Sequence, residues 1–237
     1  MKKVIIVGAT SGIGRELSKI YSRNGWAVGV AGRRDSLFPE IEKEMKGKVY
    51  FKRIDVTAPE SALLLKELIS EMGGVDVVVI SSGTGSVNRE LDWSKEKETI
   101  DVNVSGFALL AGTAFRYFCG NGGGCVAGIS SIAAIRGGDD APAYSASKAF
   151  VSNYLEGLRK MAIKNGFPVS IVDIQPGFVA TNMAKGEGLF WVAPVEKAAQ
   201  QIYEAIGSNR QHAYITRRWR LVAWLLKVMP NFIYDKI

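Results

Sequence analysis

Short apolar segments recur along the chain and alternate with longer segments whose apolar residues repeat at helical spacing. Several of the short segments are continuous apolar runs rather than alternating patterns, which is typical of parallel strands covered on both faces. Strands that alternate with helices predict βαβ units and a doubly wound sheet. The predicted strands are Val4–Val7, Ala27–Ala31, Val49–Ile54, Val75–Ile80, Gly124–Ile129, Val169–Ile174 and Ala213–Ile215, and the predicted helices span residues 12–24, 35–46, 58–72, 95–118, 143–165, 194–207 and 217–229.

No linker rich in proline or serine, internal repeat or low-complexity stretch divides the 237 residues. We therefore predict one α/β domain, Rossmann-like, with a seven-stranded parallel sheet and helices on both faces, over residues 1–216. Residues 217–237 are predicted to be a basic and apolar helix or tail appended to that domain. The content of 47% hydrophobic and 22% charged residues excludes a disordered or collagen-like protein.

The sequence carries few signals for export or metal binding. The run after Met-Lys-Lys is too short for a signal peptide, and no segment approaches the ~20 apolar residues of a membrane span. Cys119 and Cys125 cannot form a disulfide framework, so a reducing, cytoplasmic setting is expected. Because His212 is the only histidine, we expect neither a metal site nor a histidine-based triad.

Positive charge is concentrated at the C-terminal end. The net charge is +7, from 30 Lys and Arg against 23 Asp and Glu, and residues 214–237 supply +4 of it. The basic residues there alternate with Trp, Leu and Val, so we expect no nucleic-acid partner. Peripheral membrane contact, docking on a second subunit and closure of a substrate pocket all stay open for residues 217–229. On a helical wheel, Arg217, Arg220 and Lys227 lie on one side, broadly opposite Trp219, Val222, Ala223, Leu226 and Met229.

A glycine-rich turn joins the first strand to the first helix. Glycines let the backbone approach a pyrophosphate, and a helix N-terminus favours its charge. The alternative is a plain turn, but the placement between strand and helix favours a dinucleotide site. The residues predicted to contact the cofactor here are Gly8, Thr10, Ser11, Gly12, Ile13 and Gly14.

The second strand ends in Arg33 and Arg34, where the adenosine ribose would lie. An acid there would accept the ribose 2′-hydroxyl, whereas arginine can pair with a 2′-phosphate, so NADP(H) is favoured over NAD(H). Arg33 could instead be a solvated loop residue, and Asp35 could cap the next helix. After the third strand, Asp55 and Val56 could meet the adenine edge, although Asp55 could equally cap the helix near residue 58.

Tyr144 and Lys148 lie one turn apart on one face of a predicted helix. A free tyrosine has a pKa of about 10, and a neighbouring ammonium lowers that pKa. Alone, the pair is better explained as a half-buried tyrosine beside a solvated lysine. Ser131 changes this, because it follows the fifth strand and could bind a substrate carbonyl oxygen opposite Tyr144; its own alternative is a strand-end turn.

Together these motifs resemble the short-chain dehydrogenase/reductases in their single-domain form of about 250 residues. The resemblance covers residues 3–215 and also includes Asn103 in Asn-Val-Ser-Gly and the motif at residues 176–181. It implies hydride transfer between NADP(H) and a carbonyl or alcohol. Tyr144 would be the general acid or base, and Lys148 would lower its pKa and hold the nicotinamide ribose. Ser131 would position the carbonyl, and Asn103 would hold a water that relays protons towards Lys148.

The resemblance also implies further cofactor contacts. Pro176, Gly177, Val179 and Thr181 would fix the nicotinamide. The family usually has Asn-Asn-Ala-Gly after the fourth strand, where this chain has Ser-Ser-Gly-Thr at residues 81–84. Gly83 keeps the close backbone approach, but the missing Asn side chains could loosen packing or alter the ribose contact of Ser82 and Gly83.

Residues 182–191 are where such an enzyme folds a lid over its substrate, which we expect to be a lipophilic carbonyl or alcohol. The lining could instead be ordinary core packing. The predicted lining residues are Met183, Leu189, Phe190 and Trp191, with Gly186 and Gly188 as hinges.

The family commonly pairs through the helices predicted at 95–118 and 143–165, so a homodimer or homotetramer is expected. Two other functions stay open. One is a non-catalytic NADP-binding regulator on the same fold. The other is a nucleotide-sugar epimerase, which would normally need a larger substrate domain.

Overall fold

The computed structural model describes residues 1–183 and 190–236. In that part of the chain, seven parallel strands form one sheet in the order β3-β2-β1-β4-β5-β6-β7, which confirms the predicted architecture. The strands are β1 (Lys3–Val7), β2 (Ala27–Gly32), β3 (Val49–Arg53), β4 (Val77–Ile80), β5 (Gly124–Ile129), β6 (Val169–Pro176) and β7 (His212–Ile215). The helices are α1 (Gly12–Arg23), α2 (Phe38–Glu44), α3 (Ser61–Glu71), α4 (Trp93–Ile100), α5 (Phe107–Gly120), α6 (Pro142–Asn165), α7 (Val195–Gly207), α8 (Trp219–Val228) and α9 (Asn231–Tyr234).

Helices cover both faces of the sheet. One core layer joins the sheet to α3, α5 and α6, and the other joins it to α1, α2 and α7. The middle strands β2 and β4 are buried along their whole length, which explains their continuous apolar runs. Because β1 pairs with both β2 and β4, the strand order reverses at its carboxyl end. That reversal opens the crevice where parallel sheets bind ligands.

The helix predicted at 95–118 is interrupted. The chain forms α4, then a π-helical segment at Asp101–Gly106, then α5. Asn103 is buried in this wider turn. Gly106 lies close to the loop after β3, since a Cβ on Gly106 would lie 2.7 Å from the Val56 carbonyl oxygen. Periodicity could not reveal the break, since the apolar residues continue through it. The prediction at 35–46 also changes, because Asp35–Leu37 form a 3-10 turn before α2 begins.

The C-terminal segment folds back onto the domain. Trp219 and Ala223 of α8 are buried against Ile132, and Val222 and Leu226 pack beside them. The short helix α9 follows and was not predicted. Among the described residues, no helix has both the length and the apolar character needed to cross a bilayer.

Candidate active site

The glycine-rich turn after β1 packs directly on the loop after β4. Gly8 and Gly12 adopt positive φ angles of 86° and 54°, which L side chains rarely tolerate. A Cβ on Gly8 would overlap the backbone of Ser82, and one on Gly14 would overlap the Gly8 carbonyl. Side chains are therefore excluded at positions 8 and 14, and the backbone N–H groups at the start of α1 are suited to face a phosphate.

Arg33 and Arg34 follow β2 at the same edge of the sheet. The Arg34 guanidinium donates to the Ser11 hydroxyl at 2.7 Å and the Thr10 hydroxyl at 3.0 Å, so it lies against the glycine-rich turn. Arg33 is exposed, and its charge acts on Asp55 in the loop after β3. Two guanidinium groups thus stand where a ribose phosphate would be bound.

Asp55 is engaged in a local turn. Its Oδ1 accepts hydrogen bonds from the Thr57 backbone N–H at 3.0 Å and the Thr57 hydroxyl at 2.8 Å. Partial burial acts to raise the pKa of Asp55, but these hydrogen bonds and the charge of Arg33 outweigh it, and the pKa is lowered. The turn lies ahead of α3, which begins only at Ser61, so Asp55 does not cap that helix. Asp35 similarly accepts from the Ser36 N–H at 3.1 Å.

The loop after β4 fits a bound dinucleotide. The buried Ser82 hydroxyl has no hydrogen-bond partner among residues 1–183 and 190–236, which leaves a donor and acceptor for a ligand group in the crevice. Gly83 lies so close to the catalytic candidates that a Cβ there would stand 3.3 Å from Lys148 Nζ and 3.4 Å from Asn103 Oδ1. Although residues 81–84 differ from the usual family sequence, Gly83 therefore remains where the loop comes closest to Lys148 and Asn103.

Asn103 holds that loop in place. Its Oδ1 accepts from the Thr84 N–H at 2.9 Å, and its Nδ2 donates to the Thr84 carbonyl at 2.7 Å and the Ser147 hydroxyl at 3.0 Å. The Ser147 hydroxyl in turn donates to the Tyr144 carbonyl at 2.7 Å. All the hydrogen-bonding groups of the Asn103 side chain are engaged, so it ties the loop to α6.

Ser131, Tyr144 and Lys148 converge at the carboxyl end of β5. Lys148 donates to the Ile129 carbonyl at 3.0 Å, and its Nζ lies 5.6 Å from the centroid of the Tyr144 ring. Ser131 begins the 3-10 turn Ile132–Ala134 and accepts from the Ala133 N–H at 3.1 Å. The Tyr144 ring packs against the backbone of Gly85, where a Cβ would overlap it.

The protonation of this group is set mainly by burial. Burial raises the pKa of Tyr144, and a hydrogen bond with the Ser131 hydroxyl acts in the opposite direction. Burial lowers the pKa of Lys148 to about 8, although the charge of Asp173 raises it in part. We expected Lys148 to lower the pKa of Tyr144; in this structure the pKa is raised, and Ser131 is the group that opposes the effect of burial.

The motif after β6 joins the cofactor crevice to the C-terminal helix. Thr181 stands beside the glycine-rich turn, 3.3 Å from where a Cβ of Gly12 would be. Pro176 ends β6, and Val179 is buried and bridges to Ala193. A Cβ on Gly177 would overlap the indole of Trp219, so α8 lies directly against the loop expected to hold the nicotinamide.

Aromatic side chains form a wall around Trp219, beside the loop after β6. The Trp219 ring packs at 5.4 Å from Phe178 and 5.2 Å from Phe190, and Trp191 lies at 6.3 Å. Phe190 and Trp191 are half exposed, so they are not core residues, and Met183 is exposed as well. The other predicted lid residues, Gly186, Gly188 and Leu189, lie outside the described residues.

Several residues of the site were not expected from the sequence. Trp219 was placed on the side of the tail helix opposite the basic residues, with closure of a substrate pocket as one of three alternatives, but nothing local indicates that α8 reaches the loop after β6. Gly85 could have been noticed in the Gly-Thr-Gly run. The buried Asp173, which accepts from Ser130 at 2.5 Å, could have been noticed as a charge within an apolar strand.

Comparison with known proteins gives a consistent picture. Residues 2–189 match the family model described as short chain dehydrogenase. An uncharacterized oxidoreductase of Myxococcus xanthus is 31% identical over 99% of this chain and 95% of its own length. A short-chain type dehydrogenase/reductase from Mycobacterium marinum is similar in structure, with a TM-score of 0.79, 25% identity and coverage of 90% of this chain and 93% of that one. A short-chain dehydrogenase from Sphingobium yanoikuyae, solved in complex with NADPH, shares the fold, with a TM-score of 0.79, 19% identity and coverage of 94% and 92%.

Proposed function

The chain belongs to the short-chain dehydrogenase family of oxidoreductases, and from that membership we propose that it transfers hydride between NADP(H) and an apolar carbonyl or alcohol substrate. The observation that carries the proposal is the convergence of Ser131, Tyr144 and Lys148 at the end of β5, against the loop after β4 on which the glycine-rich turn packs. A donor, a titratable phenol and an ammonium at one point suit proton transfer to a carbonyl oxygen.

In the reducing direction, the carbonyl carbon gains a hydride and its oxygen gains a proton. The nicotinamide supplies the hydride when the cofactor is bound. The Tyr144 hydroxyl donates the proton to the oxygen, and the Ser131 hydroxyl holds that oxygen by a hydrogen bond. In the oxidising direction, Tyr144 accepts the proton from the alcohol.

Lys148 and Asn103, which both lie beside Gly83, support this step. The ammonium of Lys148 favours the negative phenolate that remains after the proton has left. We retain the proposed proton relay from a water near Asn103 to Lys148, but the Asn103 side chain is occupied by Thr84 and Ser147.

The preference for NADP(H) rests on Arg33 and Arg34. Arg34 lies across the hydroxyls of Thr10 and Ser11, and Arg33 is exposed beside it. Together they offer a 2′-phosphate two charge-assisted donors. The ribose contact of an NAD site would instead need an acid at the end of β2. The nearby Asp35 is exposed, and its Oδ2 lies 4.0 Å from Arg53 Nε.

The apolar character of the substrate is supported by the wall around Trp219. Ile132, next to Ser131, shares a packed cluster with Trp219 and Phe178. An apolar wall gains free energy from each buried methylene, about 0.8 kcal/mol. Across a series of aldehydes and ketones of increasing chain length, we expect kcat/KM to rise. A flat series would contradict the apolar assignment while leaving the reaction class in place.

We also propose assembly as a homodimer or homotetramer through α5 and α6. Their support is an exposed Leu109 and the stacked pair Phe150 and Tyr154, whose ring centroids are 5.5 Å apart. Sedimentation velocity at micromolar concentration tests this, and a monomer would contradict it.

The decisive test of the reaction is the change Tyr144→Phe. It removes the phenolic proton and keeps the ring that packs on Gly85, so we expect turnover to fall by about 10²–10⁴ with NADPH binding retained. Tyr154→Phe is the matched control, because Tyr154 lies on the same helix and its hydroxyl donates only a 3.4 Å hydrogen bond to the Ala108 carbonyl. Full turnover in Tyr144→Phe would overturn the assignment. Tight NADPH binding without turnover in the unmodified protein, across the substrate series, would favour the non-catalytic regulator.

A further inference from the structure

Helix α8 has two opposite apolar faces. Trp219, Val222, Ala223 and Leu226 pack against the domain. On the other side, four large apolar residues recur at the spacing i, i+3, i+4 and i+7, and all are exposed: Leu221 at 71%, Trp224 at 65%, Leu225 at 49% and Val228 at 55%. A helix on the surface of a globular protein normally turns polar residues outwards. This outer stripe is therefore a surface typical of a site that binds a partner.

The chain after α8 is held in a fixed position. Phe232 and Ile233 of α9 are further exposed apolar residues. Arg136, in the loop before α6, donates to the Met229 carbonyl at 3.1 Å and to Asn231 Oδ1 at 2.8 Å. The Tyr234 hydroxyl donates to the Gly137 carbonyl at 2.7 Å. These contacts tie the segment to the loop near Ser131, so the exposed stripe belongs to an ordered surface.

Basic side chains border the stripe. Arg220 and Lys227 are exposed and lie two turns apart along one edge of α8, with Arg217 just before the helix. Arg218 donates to the Trp191 carbonyl at 3.0 Å and stands over the Trp191 ring, which adds a half-exposed aromatic residue to the surface. The one acidic residue in 214–237 is Asp235. Tryptophan and arginine around an aliphatic stripe form the composition of an interfacial membrane helix.

We propose that α8 and α9 bind the surface of an anionic phospholipid bilayer. The stripe Leu221, Trp224, Leu225 and Val228 enters the boundary between headgroups and acyl chains, and Arg217, Arg220 and Lys227 meet the lipid phosphates. With ten residues, α8 is about 15 Å long, so it lies along the bilayer.

Charge distinguishes this partner from a second copy of the chain. A two-fold contact places the same surface on both sides of the interface. In an antiparallel pair of α8 helices, the basic edge of one copy would lie near the basic edge of the other, and Asp235 is the one acidic residue that each copy has within residues 214–237. An anionic bilayer supplies the opposite charge. If the proposed function holds, docking would also bring the wall around Trp219, on the inner face of α8, close to lipophilic substrates that are dissolved in the bilayer.

The test is co-sedimentation of the full chain with phosphatidylcholine vesicles that either contain or lack phosphatidylglycerol. We expect binding to the anionic vesicles, weaker binding as salt rises, and little binding to the neutral ones. The double variants Leu221→Ser/Trp224→Ser and Arg220→Glu/Lys227→Glu should each lower the partition coefficient by about tenfold or more. The controls Leu63→Ser and Lys66→Glu change exposed residues of α3 and should bind as the unmodified chain does.

Binding of NADPH by every variant, followed by nicotinamide fluorescence, shows that each is folded. The proposal would be overturned if the chain did not bind the anionic vesicles, or if it bound the anionic and the neutral vesicles equally. It would also be overturned if Leu221→Ser/Trp224→Ser kept full vesicle binding, or if that variant converted a dimer to a monomer in sedimentation velocity. Vesicle binding needs no substrate, so its failure is distinguishable from failure of the proposed reaction.

Discussion

Lys148 is 5% exposed, and its ammonium group donates to the Ile129 carbonyl. Burying a charge disfavours the charged form, which is why the pKa of Lys148 falls from 10.5 to about 8. The group that supports the chemistry therefore weakens the fold at neutral pH. Unfolding would return the ammonium to water, where its pKa is ordinary.

This conflict predicts a pH dependence of stability. Between pH 8 and 10.5 the unfolded state binds more protons at Lys148 than the folded state does, so the free energy of unfolding rises with pH. Over that window the contribution of Lys148 is about 3 kcal/mol. In urea unfolding, the free energy of unfolding of the unmodified chain should rise by about this amount relative to that of Lys148→Met between pH 8 and pH 10.5.

Lys160→Met is the control for that comparison, since Lys160 is exposed on the same helix. It should follow the pH profile of the unmodified chain. Parallel profiles for Lys148→Met and the unmodified chain would show that the ammonium is solvated in the folded state, against its observed burial.

Sequence reasoning at this scale identified the residues whose role depends on close neighbours in the chain. Tyr144 and Lys148 are one helical turn apart, and the glycines follow one another within a single turn. It did not find the role of Asn103, whose partners Thr84 and Ser147 are 19 and 44 residues away. Such contacts depend on the packing of α6 on the loop after β4, for which no local pattern exists.

At the scale of elements, the seven strands were predictable because both faces of the sheet are covered. Burial on both sides requires continuous apolar runs, and those runs are visible in β1, β2 and β4. The break of the helix at Asp101–Gly106 was not predictable, because one wider turn leaves the apolar periodicity almost unchanged. The π-helical segment nonetheless orients Asn103, which makes the departure from regular geometry part of the site.

Helix α8 offers an element-scale prediction. Trp219 is 2% exposed and packs on Gly177 and Phe178, so Trp219→Ala should lower the free energy of unfolding by about 3–5 kcal/mol. It should also raise KM for apolar substrates more than it raises the Kd of NADPH, because the indole supports the wall of the site. Denaturation and steady-state kinetics measure the two effects.

Trp224→Ala is the matched control on the same helix. Trp224 is exposed, so the change should alter the free energy of unfolding by less than about 0.5 kcal/mol. If Trp219→Ala does not fold, KM for apolar substrates and the Kd of NADPH are measured on the milder variant Trp219→Phe instead. An unchanged KM in a folded Trp219 variant would separate α8 from the substrate wall.

At the scale of the whole molecule, the location of the site follows from topology. The order β3-β2-β1-β4-β5-β6-β7 places the carboxyl ends of β1, β2 and β4 around one crevice. The glycine-rich turn, the two arginines at 33 and 34, and Ser82 with Gly83 follow those strands, so the sequence pattern was enough to predict that these residues lie at one edge of the sheet. The path of the C-terminal segment was not determined in this way, because α8 lies outside the alternation of strands and helices and its position depends on side-chain packing with Ile132 and Phe178.

A ligand that binds across this crevice should stabilise the whole fold. At 100 times its Kd, NADPH should raise the free energy of unfolding by about 2.7 kcal/mol, because it binds the folded state alone. Arg33→Ala removes a charge-assisted contact to the 2′-phosphate and should weaken NADPH about tenfold, which cuts that gain to about 1.4 kcal/mol at the same concentration. Stabilisation by NADH should be unaffected by Arg33→Ala.

Arg34→Ala should behave differently when the stabilisation by each nucleotide is measured, which a thermal-shift experiment with NADPH and with NADH does for all variants. Arg34 also bonds to Thr10 and Ser11 beside the glycine-rich turn, so its loss should weaken NADH as well as NADPH. Arg23→Ala, at the exposed end of α1, is the control and should leave both nucleotides unchanged. If Arg33→Ala reduced the stabilisation by NADH and NADPH equally, Arg33 would act on a part that the two cofactors share, and the preference for a 2′-phosphate would have to come from elsewhere in the crevice.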